Sequence, residues 1–323
     1  LFSCKGKEPE ATVVEGSVES VDAYFNPGAL VEPAELMAMA GNTQIKIIDF
    51  REQEAYEKGH IPGAIRLWRS DIEDASQPVR GMIAPREKME SLFSNRGIDS
   101  ADTLILYDDH AGVNAARLWW VLQVYGHDKV RMLNGGLKKW EALKGPFSVE
   151  EIHYPQTNFH FKGDGAPSLR IERDSLLSLL DETGWTLVDV RTPDEYSGKR
   201  MKAGAKAAGR IPGSIHADWA DGIRFHGDHT FRTIKELKRI YKRLPQDKNS
   251  PIVTYCHSGV RSAHTTFVLT QLLGYRQVHN YDGSWLEWSS FEGAPLETDS
   301  LTTIMQELWK NILMLLEIRL WVP

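Results

Sequence analysis

The sequence predicts two α/β domains in tandem, each a largely parallel sheet flanked by helices, followed by a C-terminal helical tail. Three observations carry that prediction. The chain has 323 residues with 41% hydrophobic and 25% charged content, enough for two cores of ordinary size. Landmarks repeat at a fixed interval: Gly126, Gly135 and Trp140 recur as Gly274, Gly283 and Trp288, each 148 positions further on, the mark of a duplicated structural unit. Within each unit, short β-rich runs alternate with helical stretches, as parallel sheets require.

Taken in order, residues 1–20 read as a polar, acidic tether. Its start, Leu1-Phe2-Ser3-Cys4-Lys5, places a small residue before a cysteine, the form of a cleaved bacterial lipoprotein signal. Membrane anchoring through Cys4 and a place in the bacterial periplasm or envelope are therefore expected. An incidental cysteine at a frayed terminus, in a cytoplasmic protein, is the alternative.

The first domain is expected over 21–146. Residues 45–51 (Ile-Lys-Ile-Ile-Asp-Phe-Arg) form a strand candidate, followed by Tyr56 and a turn at Ile61-Pro62-Gly63; residues 103–107 read as a buried strand and 115–125 as a helix. A linker rich in Pro, Gly and Asn is expected over 147–168. The second domain, 169–297, repeats the pattern with Asp189-Val190-Arg191, Tyr196 and Ile211-Pro212-Gly213, then a strand over 251–255 and a helix over 262–273. Past it, 298–323 is expected to form an amphipathic helix, because Ile304, Met305, Leu308, Ile312, Leu315 and Leu316 fall near helical spacing. That stretch is too short and too charged to span a bilayer.

A formal net charge of −6 argues against a nucleic-acid partner, since nothing would drive counterion release from a phosphate backbone. An anionic substrate would need a local basic pocket. With Cys4 and Cys256 the chain has two cysteines, so neither a disulfide framework nor a cysteine-rich zinc site is expected, and Cys256 reads as a free thiol. His226-Gly227-Asp228-His229 reads as a solvent-facing turn; no metal and no cofactor are assigned. No residue pattern marks an oligomer, and a monomer is the default.

The chemistry concentrates at Tyr255-Cys256-His257-Ser258-Gly259-Val260-Arg261-Ser262, where a β-like run breaks into a glycine-containing loop. A thiol of ordinary pKa is mostly protonated at neutral pH and is then a weak nucleophile. If Ser262 begins a helix, its unpaired N–H groups stabilise a thiolate, and Arg261 adds a fixed positive charge. From Cys256 to Arg261 the loop counts six residues. That is one fewer than cysteine phosphatases use to enclose a tetrahedral oxyanion, and the shorter ring suits sulfur bound on sulfur. Another cluster, Lys199, Arg200, Lys202, Lys206 and Arg210, lies in an extension after Gly198 with no acidic residue; either it focuses field on an incoming dianion or it is a solvated loop.

The Asp-Phe-Arg and Asp-Val-Arg strands, the two Ile-Pro-Gly turns, the Cys256 loop and Tyr281-Asp282-Gly283-Ser284-Trp285 together closely resemble the two-domain rhodaneses, the thiosulfate and 3-mercaptopyruvate sulfurtransferases, over about residues 20–296. The resemblance implies two rhodanese-like domains of one fold, with the catalytic cysteine in the second and an inactive first. The degenerate equivalent of Cys256 is Asp108 or Asp109, because the loop from Tyr107 to Gly112 is one residue longer than that from Tyr255 to Gly259. It further implies double displacement through a Cys256 persulfide, from a small-molecule sulfur donor to a cyanide or thiol acceptor. Loop amides from His257 to Ser262, including Ser258, Gly259 and Val260, would stabilise the persulfide. Arg191 and Arg261 would bind the donor, with Asp189 in a supporting role. His257 and Arg261 stand where mercaptopyruvate enzymes carry Gly and Thr, so thiosulfate is the expected donor. The alternatives are a 3-mercaptopyruvate enzyme or a non-autonomous sulfur carrier.

Overall fold

The computed structural model describes residues 23–299. The tether with Cys4, and the tail from residue 300 onward, lie outside the described residues.

Each half is built on a five-stranded sheet in which every pairing is parallel. In the first, β1 (Leu30–Val31), β2 (Ile45–Asp49), β3 (Ile65–Arg66), β4 (Thr103–Tyr107) and β5 (Val130–Leu133) lie in the order β1-β5-β4-β2-β3. In the second, β6 (Arg170–Ile171), β7 (Thr186–Asp189), β8 (Ile215–His216), β9 (Ile252–Tyr255) and β10 (Val278–Tyr281) repeat it as β6-β10-β9-β7-β8. The central strands β4 and β9 are apolar and almost wholly buried, as a parallel sheet covered on both faces demands.

The halves share one core. Helix Val113–Tyr125 buries ten of its thirteen residues, and a helix apolar all round must be covered all round. Its cover is the matching helix Val260–Phe267 of the second half, with Trp119 packed edge-on against Phe267 at 5.0 Å between ring centres. This second helix starts at Val260 rather than at the expected Ser262, and passes into a π-turn at Val268–Leu272. The early start follows from Gly259, whose left-handed φ of 74° reverses the chain directly into the helix. The π-turn accommodates one extra residue. It offsets the residue missing from the Cys256 loop, so the 148-residue register is regained at Gly274.

Candidate active site

Cys256 follows β9 directly, at the carboxyl edge of the sheet where open α/β folds place ligands. The loop after it is locked from below. Ser284 Oγ accepts the amides of Cys256 at 3.1 Å and Gly259 at 3.0 Å while donating to the Tyr281 carbonyl at 2.7 Å. Trp285 and Leu286 donate their amides to the carbonyls of Cys256 and His257, both at 3.0 Å. A side chain at Gly259 would meet the Asp282 carbonyl oxygen at 2.6 Å, so only glycine fits.

The sulfur is 1% exposed, and burial acts to raise its pKa. The Arg261 charge, the Ser262 hydroxyl at 3.5 Å and the amides of Ser262 and Ser258 outweigh burial, and the thiol is more acidic than an ordinary cysteine. Such a shift raises the share of the nucleophilic thiolate over that of an ordinary cysteine.

Arg261 does not face the donor alone. Its guanidinium grips Glu195 bidentately, at 2.7 and 2.9 Å, from the short helix Pro193–Ser197. Against the cost of burial, Arg261 and Thr192 hold the Glu195 carboxyl at about 2. Arg191 is more firmly committed. It is 2% exposed, pairs with Asp189 at 2.5 Å, donates to the Gly209 carbonyl at 2.7 Å and lies over Trp285. Arg51 repeats this in the first half with Asp49 and the Gly59 carbonyl, so the arrangement is framework common to both halves. The geometry therefore commits Arg191 to Asp189 and the Gly209 carbonyl rather than leaving it free for the donor-binding role expected of it, and the supporting role of Asp189 is to hold Arg191. The His257 ring lies 3.1 Å from the Ala203 carbonyl through Nε2. Burial, together with the nearby charges of Lys202 and Arg261, lowers its pKa to about 4, so the ring is neutral under ordinary conditions.

The two candidates for the degenerate position are now separated. Asp108 is fully buried, and its carboxylate takes four amides, those of His110 (2.9 Å), Gly112 (2.7 Å), Asn114 (2.7 Å) and Ala115 (3.0 Å). Asp109 is half exposed and lies 3.9 Å from Arg51. Asp108 thus occupies the seat of Cys256.

The first half also builds part of the active site. A cleft of about 620 Å³ between the halves is lined by Trp68, Arg69, Arg80 and Gly81 on one side and by Lys202, Lys206, His257 and Ser258 on the other. Arg117, from the first half's buried helix, reaches Asp282 at 2.5 Å and donates to the carbonyls of Gly259 (3.3 Å) and Gly81 (2.7 Å). Sequence reasoning passed over Arg117, Ser284 and Glu195. The signal for Arg117 was present: one arginine inside the apolar run Ala115-Ala116-Arg117-Leu118-Trp119-Trp120 must have a buried partner.

A nucleophilic thiol seated at the start of a helix, in the second of two equivalent α/β units, defines the rhodanese class. The model of the rhodanese-like domain matches residues 32–143 and 172–291, and the chain belongs to the rhodanese family. Over 291 residues it is 37% identical to the thiosulfate sulfurtransferase of Corynebacterium glutamicum, covering 87% of this chain and 94% of that one. A Mycolicibacterium smegmatis protein, provisionally named a thiosulfate sulfurtransferase, is 39% identical over 256 residues, 77% of this chain and 90% of that one. Among solved structures, the anaerobic ergothioneine biosynthesis enzyme of Chlorobium limicola, in complex with trimethyl histidine, superposes with a TM-score of 0.75 at 25% identity, over 86% of this chain and 72% of that one.

Proposed function

We propose that the protein transfers sulfane sulfur from thiosulfate to cyanide or a thiol through a persulfide on Cys256. The Cys256 thiolate attacks the outer sulfur of thiosulfate, the sulfur–sulfur bond breaks, and sulfite leaves with the electron pair. The acceptor then attacks the outer sulfur of the persulfide, forming thiocyanate or a new persulfide and returning the thiolate. Both steps balance without proton transfer, so a general base is not required.

The observation that carries this reading is a buried thiol made more acidic by Arg261 and Ser262, whose loop neighbours His257 and Ser258 line a cleft that also bears Arg69, Arg80, Lys202 and Lys206. A relative named thiosulfate sulfurtransferase, matched over 94% of its length, supports the donor. Incubation with thiosulfate alone should add about 32 Da, one sulfur atom, and Cys256→Ser should lose the adduct. If the wild-type protein acquires sulfur only when a second protein is present, it is a carrier rather than an autonomous enzyme. Turnover of thiosulfate should exceed that of mercaptopyruvate; the reverse ratio defeats the donor assignment.

Anchoring at a bacterial envelope through Cys4 belongs to the same proposal and rests on Leu1-Phe2-Ser3-Cys4. Palmitate incorporation in cells producing the protein from its native reading frame, lost in Cys4→Ser, checks it. Among the described residues no helix is long and apolar enough to cross a membrane.

A further inference from the structure

Thiosulfate carries two negative charges, yet the groups beside Cys256 with the strongest claim on them are already occupied. Arg261 is neutralised by Glu195 through two hydrogen bonds, Arg191 by Asp189, and the His257 ring is uncharged at neutral pH. An anion entering the cleft must find its counter-charge elsewhere.

The segment from Gly198 to Arg210 supplies one. Between Tyr56 and Gly59 the first half has two residues, whereas between Tyr196 and Gly209 the second has twelve. This added segment is stapled over the catalytic loop. The Ala203 carbonyl meets His257 Nε2 at 3.1 Å, the Lys206 amide donates to Ser289 Oγ at 3.1 Å, and the Ala207 carbonyl accepts from Trp285 Nε1 at 2.9 Å. Glycines with left-handed φ at Gly198 (84°) and Gly204 (91°) bend it around the site. The segment therefore holds Lys202 in the cleft wall next to the loop.

Glu52 and Glu73 also line this cleft, Glu73 being held by Arg69, but among the described residues no ion pair involves Lys202. Desolvation at the cleft wall lowers its pKa, as do Arg261 and, from the first half, Arg69; Cys256 and Glu195 act the other way. Lys202 thus stands within electrostatic reach of the sulfur and of a second cation across the cleft. Arg69 lines that opposite wall and is only loosely held, by Glu73 at 3.1 Å with both side chains partly exposed. Two cations lining one cleft beside the catalytic loop are a poor arrangement unless an anion comes between them.

We propose that Lys202 and Arg69 form the donor's anion subsite, holding the sulfonate of thiosulfate between the two halves with its outer sulfur toward Cys256. The proposal rests on thiosulfate as donor. It makes the added segment the element that selects a dianion, and it gives the inert half a direct part in substrate recognition.

The test compares Lys202→Met, Lys202→Arg and Arg69→Met with the wild type on thiosulfate and on mercaptopyruvate, a monoanion. Lys202→Met should raise the KM for thiosulfate about ten-fold or more, the loss expected for one charge-assisted contact. It should raise the KM for mercaptopyruvate much less, and Lys202→Arg should recover most of the loss. Arg69→Met should act in the same direction on thiosulfate. An unchanged thiosulfate KM in Lys202→Met overturns the proposal. So does an equal loss on both donors, because displacement of the segment would produce it. If instead the wild-type protein takes no sulfur from thiosulfate, the donor assignment fails, which the mass measurement reports separately.

Discussion

The seats of Cys256 and Asp108 are the same piece of architecture filled in two ways. In the first half a carboxylate occupies the ring of amides permanently, taking four of them. In the second, the Gly259 amide is diverted to Ser284, and the amides matching those of Asn114 and Ala115 belong to Arg261 and Ser262, next to the sulfur. A ring able to satisfy a carboxylate is able to satisfy the terminal sulfur of a persulfide, which carries the same charge. The two halves also meet asymmetrically. The Ile83 amide donates to Asp282 at 3.0 Å, and the Phe231 amide, 148 positions on, donates to Asn134 at 3.0 Å. Beside Asp282 stands Arg117. The matching position on the other helix is His264, a buried ring whose pKa burial lowers to about 3. The charged version of the contact is the one that touches the catalytic loop.

The comparison breaks most sharply at the nucleophile. Cys256→Ala leaves the ring of amides but no sulfur, and thiosulfate turnover should fall by at least about 10³-fold, the scale for losing a covalent nucleophile. Next in size is the interface. Arg117→Met takes from the Asp282 carboxylate, 1% exposed, its nearer arginine and leaves only Arg170 at 3.7 Å and the Ile83 amide, and should lower unfolding stability by about 3 kcal/mol in urea titration. The double variant Arg117→Met/Asp282→Leu should regain most of that, because it is the under-compensated buried charge that costs.

Glu195 gives a smaller effect with a definite sign. Its folded pKa of about 2 lies below the ordinary glutamate value of 4.5, so its stabilisation is present above that value and is lost as pH falls toward 2. Between about pH 5 and pH 2 the wild type should lose on the order of 2–3 kcal/mol through this group, a loss absent from Glu195→Gln. The same variant releases the Arg261 charge toward the thiolate. The pH midpoint for alkylation of Cys256 should then move down, and in Arg261→Gln it should move up. Smallest is the inert seat: Asp108→Asn turns an amide NH₂ toward backbone donors and should cost about 1–3 kcal/mol in a thermal melt, with thiosulfate turnover per folded molecule unchanged.

The duplication, the parallel sheets and Cys256 were legible because each leaves a local mark: spacing, alternation of runs, and a polar loop ending an apolar strand. Arg191 misled because an arginine two residues after an aspartate at a strand end looks alike whether it faces a ligand or the aspartate itself. Arg51 in the inert half pointed to the second reading. Arg261 was legible as a charge in the Cys256 loop, but its neutralisation by Glu195, 66 positions away, depends on how two loops converge. Between Asp108 and Asp109 nothing local decides; backbone direction does, turning one side chain into the ring of amides and the other toward solvent. That Arg117 needs a buried partner was legible, but which partner it takes, and the contributions of Arg69 and Gly81, were not, since they exist only once the two halves have docked.

The fused core carries a consequence for separating the two halves. Cutting the chain at the linker would bare Trp119 and Trp120 on one fragment and Phe267 and Leu269 on the other, surfaces that fragments in water bury by clumping. The half without the nucleophile is thus held to the other by shared apolar surface, and neither is a free-standing unit.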